Sequence, residues 1–248
     1  MLIARTPRFQ VWRFFAHNRL RNYTYVLQET ATQEALVIDP WDGEQILTWA
    51  RGEKLTLVGV LNTHGHADHT QGNAVLMDNR IPVLSEHSWL EKESAPGHTH
   101  DHVLFILNDG NEKHVFAGDT IFQAGVGNCK NGGEPTELFK TIKRLLAELP
   151  DHAILHCGHD YWVRNLAFAQ HVMPNNQFAL KQQQLCAQQV TYEMSPSTWG
   201  DEKKINPFLN TSSTQLRERV KELSSPLAVN IDSDQMCFVS LRRLRDQW

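Results

Sequence analysis

Seven residues, Thr63-His64-Gly65-His66-Ala67-Asp68-His69, restrict this chain more than any other stretch. Three imidazoles and a carboxylate suit a divalent first-row metal, with neither thiolate nor an all-oxygen cage on offer. One tetrahedral ion cannot easily take four ligands from so short a loop, whereas two ions sharing it can. The preceding residues, Leu55-Thr56-Leu57-Val58-Gly59-Val60-Leu61, form a short apolar run rich in β-branched side chains and read as a buried strand. The cluster therefore falls where a strand gives way to a loop, a common position for a site carried by a rigid scaffold.

Around that strand the chain alternates strands with helices. Phe9 to Phe14 alternates as a strand should, and Tyr23 to Leu27 reads as its neighbour. Ala35 to Ile38 is a further strand stopped by Asp39-Pro40, and Ile81 to Leu84 is another. Val103–Leu107 and Lys113–Ala117 flank Asn108-Asp109-Gly110-Asn111, a hairpin signal. Residues 135–149 place Leu138, Phe139, Ile142, Leu145, Leu146 and Leu149 at helical spacing, and His152 to Leu155 is one more strand, ending at Cys157-Gly158-His159. From about residue 170 strand signals fade. Gln-rich helical sequence begins near Asn175, Ser213 to Leu223 reads as a helix, and Cys237, Leu241, Leu244 and Trp248 share a stripe with Ser233 as its N-cap. The expected fold class is α/β, with an N-terminal domain over residues 1–170 and a small helical domain over 171–248.

Composition excludes several classes of function. A net charge of -4 argues against a nucleic-acid partner, which wants a basic face. No uninterrupted apolar run approaches the length of a membrane helix. Cys129, Cys157, Cys186 and Cys237 form no CxxC pair and read as thiols of a reducing compartment. Residues 1–28 hold Arg5, Arg8, Arg13, Arg19 and Arg21 and no acid, a transit-peptide composition, but their strand patterning favours a cytoplasmic protein.

The seven-residue loop cannot complete two coordination shells, so further ligands should come from other strand ends. His98 precedes a strand, Asp119 follows one, and His159 follows another; Gly97, Gly118 and Gly158 stand immediately before them. His17, His87, His114, His152, His156 and His171 belong to no motif and read as structural or solvated.

These landmarks resemble the metallo-β-lactamase superfamily. Within it, the match along the chain is to the glyoxalase II (hydroxyacylglutathione hydrolase) family. Asn22-Tyr23, Gly118-Asp119-Thr120-Ile121-Phe122, Gly158-His159-Asp160-Tyr161, Asn165-Leu166-Ala167-Phe168-Ala169, Pro196-Ser197-Thr198, Asn206-Pro207-Phe208-Leu209 and the tail Arg242 to Trp248 are similar to its elements. The resemblance implies an αββα sandwich with a small C-terminal helical domain and a binuclear centre. One ion would take His64, His66 and His98, the other Asp68, His69 and His159, with Asp119 bridging. His102 would stand beside the ligands without being one. Asp68 and Asp119 are the candidate catalytic carboxylates. Zinc is the first expectation for the two ions, with iron and manganese also compatible with these donors. A pair of ions about 3.5–4 Å apart supplies hydroxide at neutral pH.

The resemblance also implies a grip on glutathione. Arg242 and Arg245, three apart on a helix, share a face and suit a carboxylate. Tyr161 matches a family tyrosine that contacts glutathione. The family carries a basic residue after the Gly-x-Gly beyond the bridging Asp; here Asn128 follows Gly125-Val126-Gly127, and Lys130 lies two further on. Asn210 stands where the family commonly has Arg. The implied reaction is hydrolysis of an S-(2-hydroxyacyl)glutathione thioester, such as lactoylglutathione, by a monomer or homodimer. The alternatives within the superfamily are a mono-iron persulfide dioxygenase and an RNA phosphodiesterase, and a non-catalytic binding protein is the third.

Overall fold

Eleven strands are present among the described residues: β1 (Leu2–Arg5), β2 (Phe9–Phe15), β3 (Tyr23–Glu29), β4 (Glu34–Ile38), β5 (Thr56–Leu61), β6 (Glu91–Ser94), β7 (Val103–Asp109), β8 (Glu112–Gly118), β9 (Ile121–Phe122), β10 (Gly125–Val126) and β11 (Ile154–Cys157). The helices are α1 (Gly43–Gly52), α2 (Ala67–Thr70), α3 (Asn73–Asp78), α4 (Pro135–Glu148), α5 (Trp162–Val172), α6 (Gln177–Gln188), α7 (Trp199–Ile205), α8 (Thr214–Ser224) and α9 (Asp234–Gln247). This computed structural model describes residues 1–110, 112–224 and 231–248, so Asn111 of the expected hairpin turn lies outside the described residues. The chain divides into two compact units. The first comprises Met1–Ser94, Asp101–Gly118 and Ile154–Asp160; the second comprises Ala95–His100, Asp119–Ala153 and Tyr161–Trp248.

The first unit holds two sheets. One has the order β1-β2-β3-β4-β5 and the other β11-β8-β7-β6. β2 and β3 pair antiparallel from Phe9↔Glu29 to Phe15↔Tyr23, as their alternation predicts. β4 and β5 pair parallel, with Ile38 opposite Leu61, and α1 makes the crossover between them. The two sheets face each other: the Tyr25 ring lies 5.5 Å from Phe116 and 5.2 Å from His156, and its hydroxyl donates to Cys157 O at 2.8 Å. The opposite face of the first sheet packs Val26, Val37 and Val60 against Ile46, Leu47 and Leu76 of α1 and α3. β3 is therefore covered on both sides, and all seven of its residues are buried.

Several elements depart from the pattern expected. Ile81–Leu84 forms no strand; Val83 makes one isolated parallel bridge to Val60. A four-residue apolar run does not by itself secure a ladder partner; β6 forms the edge of the other sheet. β6 reads Glu-Lys-Glu-Ser, a strand without an apolar residue, held by β7 with Lys92 opposite Phe105. Charged edges of this kind discourage pairing with another chain. β11 starts two residues later than its apolar pattern suggests, at Ile154, because it is placed by parallel pairing to β8 with Ile154 opposite His114.

In the second unit, Ser233 accepts from Met236 N and begins α9 as its sequence position predicts. Asn176 and Thr198 cap α6 and α7 in the same way, accepting from Ala179 N and Asp201 N. α5 begins at Trp162, earlier than the helical signal near Asn175. It buries Trp162, Leu166 and Ala169 against Ala124, Ala179, Cys186 and Ile205. α9 buries Cys237, Phe238 and Leu241, whereas Trp248 at the end of the expected stripe is 44% exposed, where the helix runs out. All four cysteines are free thiols, and burial pushes that of Cys129 up to about 12. Among the described residues no helix is long and apolar enough to cross a membrane.

Candidate metal centre

In the first unit, the loop after β5 and the end of β11 bring their histidines together. His69 Nε2 and His159 Nε2 are 3.2 Å apart, and Asp68 Oδ2 lies 3.6 Å from the former and 3.4 Å from the latter. The three ligand-capable atoms all lie within 4.8 Å of one another. His64 Nε2 faces His66 Nδ1 at 2.9 Å. His64, His69 and His159 are buried.

The far side of each ring is anchored. His159 Nδ1 is 2.7 Å from Leu20 O, and a carbonyl only accepts, so this nitrogen carries the proton. His69 Nδ1 donates to Asp39 Oδ2 at 2.9 Å. The same carboxylate accepts from Thr63 Oγ1 at 2.6 Å, and its Oδ1 accepts from Thr63 N at 2.8 Å. Thr63 Oγ1, its proton committed to Asp39, stands 3.1 Å from His64 Nδ1 as the acceptor. One buried aspartate thus orients two histidines. Asp68 is fixed in turn by Asn22, whose Nδ2 donates to Asp68 Oδ2 at 2.9 Å and to Asp68 O at 3.2 Å. The His102 ring stacks on His64 with centroids 4.8 Å apart. Gly118 is needed beside them: it has a φ of +46°, and a Cβ there would lie 2.4 Å from Thr63 Oγ1 and 2.9 Å from His102 Nε2.

The second unit repeats the arrangement with fewer groups. His98 Nδ1 donates to Asn128 O at 2.6 Å, and its Nε2 lies 3.5 Å from Asp119 Oδ2. Both residues are buried. Gly127 lets the segment fold back on them, since a Cβ there would meet Asp119 O at 2.0 Å and His98 Nδ1 at 2.8 Å.

This donor set fits a metal. With Nδ1 protonated and spent on an anchor, His69, His98 and His159 each turn Nε2 toward a carboxylate. Lone pairs facing an anion are brought together favourably only around a cation. A ligating imidazole usually donates its other N–H to a carboxylate or backbone carbonyl, as these rings do. The anchoring roles of Asp39, Thr63, Leu20 O and Asn128 O were not read from the sequence, which placed Asn128 on the substrate side instead. For Asp39 the signal was available: it follows β4, whose parallel register beside β5 puts Asp39 next to the start of the histidine loop.

Of the residues expected to grip substrate, Arg245 is half-buried; its Nη2 donates to Asn165 Oδ1 at 3.0 Å and its guanidinium lies over the Phe168 ring. Burial, with Arg164 and Arg242 nearby, pushes its pKa down to about 10, so it stays cationic at neutral pH. Arg242, expected to grip substrate from the same helical face, is buried. Its Nη1 donates to Val126 O at 2.9 Å and Gly127 O at 3.3 Å, and its Nη2 to Asp246 Oδ1 at 2.9 Å. Lys130 is exposed, its Nζ 3.4 Å from Asp246 O. Asn128 Oδ1 accepts from Lys130 N. Tyr161 is half-buried with its ring 5.3 Å from Phe122. Asn210 spends its amide on Lys203 O and Asn206 O, closing the turn after α7.

Fold and donors together define a member of the metallo-β-lactamase superfamily, whose model matches residues 18–88 and 84–159. Residues 160–248 match the model described as hydroxyacylglutathione hydrolase C-terminus. A hydroxyacylglutathione hydrolase from Polaromonas sp. is 34% identical over 96% of this chain and 99% of its own. One from Xanthomonas axonopodis pv. citri is 35% identical over 92% and 95%. The chain belongs to the hydroxyacylglutathione hydrolase family. Among solved structures, ETHE1 from Myxococcus xanthus is similar with a TM-score of 0.61 at 23% identity, covering 95% of this chain and 97% of its own. The B3 metallo-β-lactamase BLEG-1 follows with 0.59 at 22%, covering 80% and 99%. Both likenesses are of fold.

Proposed function

We propose that the chain hydrolyses S-(2-hydroxyacyl)glutathione thioesters, releasing glutathione and a 2-hydroxy acid. Water adds to the thioester carbonyl carbon, the C–S bond breaks, and the sulfur leaves as thiolate. A thiolate leaves readily, so the reaction needs no strong general acid. The observation that carries this reading is the set of imidazoles whose Nδ1 protons are committed to anchors while Nε2 faces a carboxylate. Near-full-length identity to hydroxyacylglutathione hydrolases supports the same conclusion.

His64, His66 and His98 would hold one ion and Asp68, His69 and His159 the other, with Asp119 shared. Zinc is the first candidate, iron and manganese the others. Such ions, when bound, lower the pKa of water and polarise a carbonyl oxygen. The chain's own residues do the rest. Asp39, Leu20 O and Asn128 O keep the rings aimed, Asn22 keeps Asp68 turned inward, and Asp68 and Asp119 orient the attacking water. Arg245 and Lys130 offer cations for the glutathione glycine carboxylate, and Tyr161 and Asn128 are the further candidate contacts. A cytoplasmic monomer or homodimer fits this role.

The match of residues 160–248 to the hydrolase family's C-terminal model favours hydrolysis over oxidation of a persulfide. Two measurements on the purified protein test the proposal: elemental analysis, and turnover of S-lactoylglutathione after loading with zinc, iron or manganese. Absence of turnover with all three rejects it.

A further inference from the structure

The segment between Asp119 and Asn128 makes only one two-residue strand pairing, β9 with β10. Several of its other backbone polar groups are met by side chains from the C-terminal helices. Ala124 N donates to Glu202 Oε2 of α7 at 2.8 Å. Asn206, one turn along, uses Nδ2 on Gly125 O at 3.0 Å, Phe122 O at 3.4 Å and Glu202 Oε2 at 3.1 Å. Asn165 of α5 donates to Gln123 O at 2.9 Å, and Arg242 of α9 takes Val126 O and Gly127 O. Glu202 and Asn206 are fully buried. Ala124, which they clamp, has a φ of +55°, a conformation that a residue with a Cβ rarely adopts unless its surroundings impose it. The ends of this segment are the two groups that matter: Asp119 itself, and Asn128, whose carbonyl orients His98.

We infer that Glu202 and Asn206 are positioning residues for the candidate metal centre, fixing the backbone of residues 122–125 so that Asp119 and His98 present the geometry an ion requires. The inference rests on the metal reading above. It assigns to α7 and its C-cap the task of setting the shape of a loop too short and too irregular to hold itself. Burial explains why so polar a pair stays ordered: an unmade hydrogen bond in the interior is costly, so each partner enforces the other.

The full-length protein, stripped with a chelator and reloaded with zinc, is compared as wild type, Glu202→Ala, Asn206→Ala and Glu202→Gln. Zinc affinity is read by competition with a chromophoric chelator, and Tm is measured stripped and loaded. The alanine variants are expected to bind zinc roughly 10–100-fold more weakly, the loss typical of groups that orient ligands. They should also gain less Tm on loading. Glu202→Gln, whose amide oxygen still accepts from Ala124 N, should recover most of the affinity. A purely structural role would lower Tm equally in both states and leave zinc affinity at the wild-type value, and that result overturns the inference. If the alanine variants do not fold, Asn165→Ala, which frees Gln123 O together with Arg245 Nη2, carries the comparison with the same two outcomes. Wild type that takes up no zinc, iron or manganese would sink the metal reading and this inference together. Variants matching a wild type that does load sink the inference alone.

Discussion

Asp39 holds His69 Nδ1 at 2.9 Å through an oxygen that also accepts the Thr63 hydroxyl at 2.6 Å. Two strand ends are thereby locked to each other at the root of the histidine loop. Replacing Asp39 by Asn removes the charge that secures the His69 tautomer and leaves an amide N–H where an acceptor is wanted. Metal affinity of Asp39→Asn should fall roughly 10–100-fold. Chelator competition measures it, and an unchanged affinity would show that Thr63 alone orients the loop.

Gly127 is expected to be intolerant of any side chain. The Cβ of Gly127→Ala would lie 2.0 Å from Asp119 O, a backbone atom that cannot swing aside. The segment must shift, moving Asp119 and His98. We expect about 1–3 kcal/mol of destabilisation, the usual cost of overpacking, together with reduced metal content. Thermal melts and elemental analysis check both, and a variant that melts and loads as wild type contradicts the packing described.

The buried pair His114 and His156 should make the protein acid-labile. His114 Nδ1 and His156 Nε2 are 3.0 Å apart between β8 and β11. Burial lowers both pKa values below 6.5; for His156 the neighbouring His114 and Arg13 add to this, while Glu112 and Asp109 partly oppose it at His114. Folded, both rings stay neutral where the unfolded chain would take up protons, so stability is present above pH 6.5 and is lost as pH falls below it. Glu202 acts in the opposite sense. Burial raises it to about 7, so the folded state keeps a proton that the unfolded chain releases near 4.5, and that contribution is lost as pH rises toward 7. The informative quantity is therefore the difference between wild type and His156→Gln. Between pH 6.5 and 5 the wild type should lose more stability than the variant in denaturant titrations. Parallel curves would remove the pair from the account.

Lys130→Ala tests the departure at Asn128. Lys130 is exposed, and its Nζ donates to the tail carbonyl of Asp246. If it supplies the cation that Asn128 does not, KM for S-lactoylglutathione should rise several-fold with kcat little changed. Steady-state kinetics decide, and identical parameters would show that Lys130 does not meet substrate.

Arg242 illustrates how far a linear reading reaches. Its spacing from Arg245 put both on one helical face, and α9 does present them that way. Which of the two is available is decided by what packs over that face, and at Arg242 it is the carbonyls of Val126 and Gly127, more than a hundred residues earlier. Ile81–Leu84 and β6 fail the linear reading for a related reason: strand formation depends on a partner, and the polar β6 has β7 while the apolar segment has a single bridge.

From its order of residues alone, this chain determined the strand that delivers the histidine loop, the hairpin strands and the N-cap of the last helix. These are local matters, governed by side-chain chemistry and by hydrophobic periods spanning a few residues. Tertiary structure alone decided that Asp39 serves two histidines, that Asn128 acts through its carbonyl, and that Glu202 and Asn206 hold a loop eighty residues before them. Those contacts depend on register between strands and on buried backbone groups finding partners, and neither leaves a periodic trace in the sequence.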